Sequence, residues 1–185
     1  MPEVATLPRG VSGEPVYQVG GRMTATFTFS ADRAERATGE ALPPPPAALD
    51  GSEVRLEAGP GVAQIWSQRS GAPALIVARA IPPKAFSSGV SFETVRDYLL
   101  SLPGMSASVA AQLRSFNADG STLPLPVPDR RFTSSSERVN GAPATVLTAR
   151  DHTVAAVVWI EDGVATAVGG SLDADEVLSI ARGLR

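Results

Sequence analysis

Apolar and polar residues follow the most regular pattern at the end of the chain, over residues 153–184. Residues 154–160 and 164–168 are uncharged runs of small and β-branched residues, and Asp162-Gly163 lies between them. An Asp-Gly pair in this position predicts a hairpin, because a type I′ turn needs a positive φ at both central residues.

A helix is predicted after this hairpin. Asp173 and Glu176 have the spacing of a capping box. Val177, Ile180 and Leu184 fall on one helical face, which predicts an amphipathic helix that packs on a sheet.

A second hairpin is predicted at Asn140-Gly141, which separates two strand-like runs, residues 132–139 and 142–149. Together with the first hairpin, it makes residues 132–185 a four-stranded antiparallel meander closed by a C-terminal helix.

The first half of the chain carries weaker patterns. Residues 1–20 are rich in Pro and Gly and predict an irregular lead-in. Apolar residues alternate with threonines from residue 23 to 29, which predicts a half-buried strand, and Ser30 can cap a short helix over residues 31–38. Alternation over 53–58 and two further strand-like runs complete a predicted N-terminal meander, residues 23–81, with a turn at Gly59-Pro60-Gly61.

A helical hairpin is predicted between the two meanders, over residues 91–116. Ser91 and Ser106 can each cap a helix, and Pro103-Gly104 separates the two helices. Beyond them, prolines at every second position from 124 to 128 forbid a central strand and predict an extended crossing segment.

These elements predict a single α+β domain spanning residues 1–185. Its fold would be a curved antiparallel sheet of two meanders with a central helical hairpin and a C-terminal helix. At this length, roughly 70% of the unfolded surface is buried on folding, so a substantial core is expected.

Composition narrows the function classes. The 185 residues are 43% apolar and 19% charged, as in ordinary globular proteins, and the net charge of −3 argues against nucleic acid as a partner. There are no cysteines, so disulfides and thiolate chemistry are excluded. Lys84 is the single lysine among 16 basic residues, which is typical of a GC-rich, actinobacterial source.

The start of the chain leaves two interpretations of its location. The residues that follow Met1-Pro2-Glu3 contain neither the basic region nor the apolar region of a signal peptide. No segment reaches the roughly 18 apolar residues that a membrane-spanning helix requires. The chain is then either a cytoplasmic protein with Met1 as its native start, or a region that follows a membrane anchor.

Four segments carry a resemblance to a known family: Val139-Asn140-Gly141-Ala142-Pro143-Ala144, then residues 158–163, 170–172 and 176–182. In that order they resemble an uncharacterised C-terminal domain of bacterial extracytoplasmic proteins. This domain occurs on anti-sigma-factor-like membrane proteins and on relatives of lipoprotein-sorting proteins of the LolA and RseB type. The resemblance covers residues 90 to 185, and actinobacterial members are also similar at 100–104 and 123–128.

This resemblance implies an open half-barrel with helices in its concavity, a location outside the cytoplasm and a membrane anchor. It implies no catalytic residues, because the shared motifs are structural.

Candidate chemistry in the sequence is sparse. His152 is the only histidine, no Gly-x-Ser-x-Gly motif nominates a nucleophile, and a solvated turn histidine is the favoured interpretation. Asp173, Asp175 and Glu176 have no calcium-loop spacing and are explained by helix capping. We therefore predict no catalytic residue, no metal site and no cofactor.

The helical hairpin offers one alternative to tight packing, a cavity for an acyl chain. The candidate lining residues are Phe92, Val95, Leu99, Leu113, Phe116 and Trp159.

The sequence thus predicts a non-enzymatic extracytoplasmic sensor or interaction domain of a membrane-anchored, anti-sigma-factor-like protein, with a protein partner. The alternative is a lipid or lipoprotein carrier that binds an acyl chain in a hydrophobic cavity.

Overall fold

The computed structural model describes residues 1–39, 41–68, 73–121 and 131–185. In chain order, its elements are β1 (Val16–Gly20), β2 (Met23–Thr28), α1 (Ala31–Thr38), β3 (Glu53–Ala58), β4 (Gly61–Ser67), β5 (Pro73–Ala80), β6 (Lys84–Ser87), α2 (Phe92–Ser101), α3 (Ala107–Ser115), β7 (Phe132–Val139), β8 (Ala142–Ala149), β9 (Ala155–Glu161), β10 (Val164–Gly170) and α4 (Ala174–Arg182). They fall into two compact units. Unit 1 comprises residues 1–22, 59–82 and 127–185, and unit 2 comprises residues 23–58 and 83–126.

Unit 1 is built on a sheet of seven antiparallel strands in the order β1-β4-β5-β10-β9-β8-β7. The order has two ends, so the sheet is open rather than a closed barrel. Helix α4 packs on one face, where Val177, Leu178 and Ala181 are buried against the sheet. The strand residues of this core are Trp66, Leu75, Val77, Val139, Ala144, Val146, Ala155, Val157, Trp159 and Val168.

The two hairpin turns and the helix start predicted in the C-terminal half are confirmed. Asn140 and Gly141 have φ of 50° and 92°, and Asp162 and Gly163 have φ of 50° and 72°, as type I′ turns require. Asp173 and Glu176 form the predicted capping box: each side chain accepts a hydrogen bond from the other residue's backbone N–H. The meander over β7 to β10 and its closing helix follow from these contacts.

The N-terminal segment is tied to the end of the chain. The Glu3 N–H donates to the Arg185 carbonyl at 3.0 Å, and Val4 forms an isolated antiparallel bridge with Leu184. Val4, Leu7 and Val11 pack against the core of unit 1, and the Trp66 Nε1–H donates to the Gly13 carbonyl at 3.2 Å.

Unit 2 contains a smaller antiparallel sheet in the order β2-β3-β6, together with α1, α2 and α3. Leu49, Val54, Val95 and Tyr98 form its buried core. Phe29, Val90, Leu99 and Leu102 are partly buried and pack against that core.

The predicted fold class, α+β with an antiparallel sheet and a C-terminal helix, is confirmed, and both helices of the predicted hairpin form. The single-domain organisation over residues 1–185 stays a prediction. The proline-rich stretch, residues 124–128, lies outside the described residues.

The predicted N-terminal meander is wrong at the step from β3 to β4. β3 pairs with β2 and β6, whereas β4 pairs with β1 and β5, so Gly59-Pro60-Gly61 connects two sheets instead of closing a hairpin. The reason lies in the side chains. β3 alternates charged and apolar residues and suits a sheet with one wet face, whereas β4 is uncharged and suits a sheet that is apolar on both faces.

Two further predictions for this half are corrected. Residues 16–20 of the predicted irregular lead-in form β1, because Val16-Tyr17-Gln18-Val19 is a β-branched and aromatic run. The strand predicted to be half-buried, β2, is exposed at all six positions, so its apolar face is left uncovered. It is also the edge strand of its sheet.

Candidate functional site

The six residues predicted to line a cavity are divided between the two units. Five of them belong to unit 2. Phe92, Val95 and Leu99 lie on α2, Leu113 lies on α3, and Phe116 follows α3 directly. Trp159 lies on β9 in unit 1, where it is 6% exposed in the core under α4. Trp159 therefore shares no core cluster with the other five.

Within unit 2, side chains of the hairpin pack against other protein groups. Val95 is 2% exposed and belongs to the cluster with Leu49, Val54 and Tyr98. The rings of Phe92 and Phe116 meet edge to face, with centroids 5.3 Å apart. Leu99 and Leu113 are half-buried.

Four surface clefts of 360–590 Å³ are formed by described residues, and none of these six side chains lines them. The acyl-chain cavity under the hairpin stays a prediction.

Tyr98 lies in the core of unit 2. Among the described residues of this unit, it is the one buried titratable side chain whose pKa is shifted. Its hydroxyl donates to the Pro43 carbonyl at 2.9 Å, and its ring packs edge to face on Phe29 at 5.5 Å. Burial raises the pKa of Tyr98, and the nearby carboxylates of Glu35 and Asp50 raise it further. Tyr98 is thus a neutral hydrogen-bond donor that fixes Pro43, the first of four consecutive prolines at residues 43–46.

His152 lies in the turn between β8 and β9, with φ of 56° and an exposed side chain. The neighbouring Asp151 carboxylate accepts hydrogen bonds from the Thr153 hydroxyl and backbone N–H, at 2.8 and 3.1 Å, and these bonds lower the pKa of Asp151. Among the described residues, no serine hydroxyl is hydrogen-bonded to His152. The arrangement stabilises a turn.

The carboxylates near the C-terminal helix serve as caps. Asp173 and Glu176 are occupied by the capping box, and Asp175 lies in the first turn, where it complements the helix dipole. No group of three potential metal-ligating side chains occurs in the described parts of the chain.

The surface that sequence reasoning missed is the edge strand β1. All five of its residues are exposed, including Val16 at 67%, Tyr17 at 58% and Val19 at 77%. Proteins commonly protect an open edge strand with charged residues or proline, and β1 contains neither. Its β-branched and aromatic composition was the signal that could have identified it.

Backbone bonding identifies which groups of β1 face outward. The Ile81 N–H donates to the Pro60 carbonyl, and the direction of bonding alternates along each antiparallel strand. Continued across β4, this alternation directs the N–H and C=O groups of Tyr17 and Val19 to the open edge.

A shallow cleft of about 360 Å³ adjoins this edge. It is lined by Val19, Pro60, Gly61, Val62, Arg79, Ala80, Ile81 and Val164. The cleft is therefore mostly apolar, with one cationic group, and Val19 belongs to both the cleft and the edge.

No helix in the described residues has the length and hydropathy needed to cross a membrane. Comparison of the chain with profiles of known protein families gave no match. No curated protein sequence matched it significantly.

Proposed function

We propose that this chain is a non-enzymatic extracytoplasmic domain that senses or binds a protein partner, as part of a membrane-anchored, anti-sigma-factor-like protein. The observation that supports it best is the uncharged, fully exposed edge strand β1. The partner segment binds as an added strand.

Strand addition fits the groups that β1 presents. The outward N–H and C=O groups of Tyr17 and Val19 bond to an extended peptide, which supplies affinity independent of sequence. Side chains at the edge supply specificity: Val16 lies on one face of the sheet, and Tyr17 and Val19 lie on the other. An uncharged segment with apolar residues on both faces is the partner that this edge fits.

Tyr17 is held in place for this role. The Gln64 Nε2–H donates to the Tyr17 hydroxyl at 3.2 Å, and Gln64 itself is 6% exposed. A fixed aromatic ring loses little conformational entropy when a partner covers it.

The proposed extracytoplasmic location and membrane anchor are inferred from a sequence resemblance to the extracytoplasmic domain family. The segments that carry this resemblance are residues 139–144, 158–163, 170–172 and 176–182. Within these segments, Asn140-Gly141 and Asp162-Gly163 form turns, and Glu176 forms a capping box with Asp173.

Site-specific photocrosslinking in the source organism tests this function. A benzophenone amino acid at Val19 is expected to crosslink to one membrane or exported protein. The matched control carries the same group at Ser135, an exposed residue on β7, the opposite and polar edge of the same sheet. Products that are identical from both positions, or that contain only cytoplasmic proteins, would contradict the proposal.

A second candidate function, acyl-chain binding, is favoured by the sheet face opposite α4. The register places ten uncharged aliphatic residues on this face, all half-buried. They are Ala63, Ile65, Ile76, Ala78, Ala80, Leu147, Ala156, Val158, Ile160 and Ala167. An aliphatic surface is the chemistry that a hydrocarbon chain requires.

Native mass spectrometry of the purified protein, followed by organic extraction, tests this second function. The wild type should carry a lipid adduct, and Val158→Lys should lose it because a charge then lies in the centre of the aliphatic face. Ser134→Lys is the control, since Ser134 is exposed on the same face, opposite Leu147. A wild-type mass without adduct, or an adduct retained by Val158→Lys, would exclude this function.

A further inference from the structure

One row of residues crosses the aliphatic face opposite α4 and ends in a cation. The register pairs neighbouring strands residue by residue along this row. Between β9 and β8, the row follows from the pair Ala144 and Trp159, because the adjacent residues Pro143 and Ile160 then lie side by side. From β5 to β7, the row is Ala80, Ala165, Ile160, Pro143 and Arg138. It is therefore apolar over four strands and ends in a guanidinium at the edge of the sheet.

The side chain of Arg138 lies on this face because its neighbour lies on the other. Val139 is fully buried in the core under α4, and successive side chains of a strand alternate between the two faces. A cleft of about 460 Å³ is found at this end of the row. It is lined by Ser136, Glu137, Arg138, Pro143 and Arg182.

The charges of this cleft leave one cation without a counterion. The Arg182 Nη2 lies 3.5 Å from the Glu137 Oε2, so these two side chains form an ion pair. The Arg138 Nη1–H donates at 2.7 Å to a neutral acceptor, the Gly141 carbonyl. Among the described residues, no carboxylate forms an ion pair with Arg138. The cleft thus has an uncompensated positive charge on a guanidinium that a hydrogen bond holds in place.

We propose that this face binds a long-chain fatty acid, an inference that rests on the acyl-chain binding proposed above. The hydrocarbon chain lies along the row, and the carboxylate binds Arg138. The row from β5 to β7 crosses four strand spacings, roughly 19 Å, which leaves room for a long extended chain. The remaining N–H groups of Arg138 bind the carboxylate oxygens, and the Ser136 hydroxyl in the same cleft donates a further hydrogen bond.

The charge of the cleft favours a carboxylate over a phosphate monoester. A carboxylate carries one negative charge, which the single uncompensated guanidinium of Arg138 neutralises. A phosphate monoester carries about −1.5 to −2 at neutral pH and would need a second cation. Arg182 does not supply it, because Glu137 already neutralises that guanidinium.

The neighbouring row favours a ligand with one hydrocarbon chain over a two-chain lipid. From Val158 on β9, this second row passes to Thr145 on β8 and to Ser136 on β7. Both of these residues are polar. Of the two rows, the one that ends at Arg138 is therefore apolar up to the cation, and it accommodates a single chain.

Fluorescence titration with cis-parinaric acid, a long-chain fatty acid, and with its methyl ester tests the carboxylate site. The wild type should bind the acid about fivefold more tightly than the ester, as a charge-assisted hydrogen bond at a surface provides. Arg138→Gln should bind both probes with the affinity that the wild type has for the ester. Arg131→Gln is the matched control, because Arg131 is an exposed arginine directly before β7, and this variant should keep the preference for the acid.

Reversing the charge gives a readout that partial unfolding cannot imitate. Arg138→Glu should bind dodecylamine more tightly than dodecanoic acid, and the wild type should show the opposite order, both measured by displacement of the methyl ester.

The outcomes separate this site from acyl-chain binding in general. Equal affinities of the wild type for acid and ester, or a preference that survives Arg138→Gln, would overturn the carboxylate site and leave acyl-chain binding in place. A wild type that binds neither probe would contradict acyl-chain binding itself, and the carboxylate site with it.

Discussion

Replacing Leu75 with alanine is expected to lower the free energy of unfolding by about 2–5 kcal/mol. Leu75 is fully buried on β5, near the centre of the seven-stranded sheet, and it faces Trp66 on one side and Gly170 on the other. The truncated side chain leaves a cavity that rigid neighbouring strands cannot fill. Denaturant unfolding followed by tryptophan fluorescence measures the loss, because both tryptophans, Trp66 and Trp159, belong to unit 1.

Ile81→Ala serves as the matched control, since it removes the same number of carbons from a side chain that is 39% exposed. Its effect should stay within about 1 kcal/mol, because surface substitutions seldom exceed that. Equal losses from Leu75→Ala and Ile81→Ala would mean that Leu75 does not occupy the centre of the core.

Gly170→Ala is the second large effect, an expected loss of about 1–3 kcal/mol caused by overpacking. Gly170 ends β10, and a Cβ there would collide with the Ala74 carbonyl oxygen and lie 3.1 Å from the Leu75 Cα. These are backbone atoms of a paired strand, so they cannot rotate away as a side chain could. The same fluorescence-detected unfolding measures the change.

Gly21→Ala is the control for this substitution. No atom lies within 4 Å of a Cβ at Gly21, and its φ is not in the left-handed region. Its stability should match or slightly exceed that of the wild type, because alanine restricts the unfolded chain more than glycine does. A Gly170→Ala variant as stable as Gly21→Ala would show that the strands can separate there at little cost.

The C-terminal half of the fold could be predicted because its signals are local. Asn140-Gly141, Asp162-Gly163 and the Asp173–Glu176 pair each determine a turn or a helix start within a few residues. Strand pairing in the N-terminal half is set by residues distant in sequence: β1 pairs with β4, and β5 pairs with β10. No short segment encodes such a choice.

Burial was harder to predict than secondary structure. Alternation over Met23 to Phe27 shows which face is apolar, but not whether another element covers it, and here the edge is exposed. Large apolar side chains place Trp159 in the same predicted cavity as Phe92 and Phe116, although these residues pack in different units. Size and hydropathy do not specify which core a residue joins.

The pairing of the two chain ends has a mechanical consequence. Because Glu3 and Arg185 exchange backbone hydrogen bonds and Val4 lies against Leu184, both ends leave unit 1 at the same place. Tension between the ends would load these bonds one after another, as in opening a zipper. The segment from Glu3 to Gly13, which is held by the packing of Val4, Leu7 and Val11 and by the Trp66 hydrogen bond, would peel away before force reached the strands of the sheet. When the molecule is pulled by both ends, the pairing of Glu3 and Val4 with Leu184 and Arg185 is therefore the first contact to break.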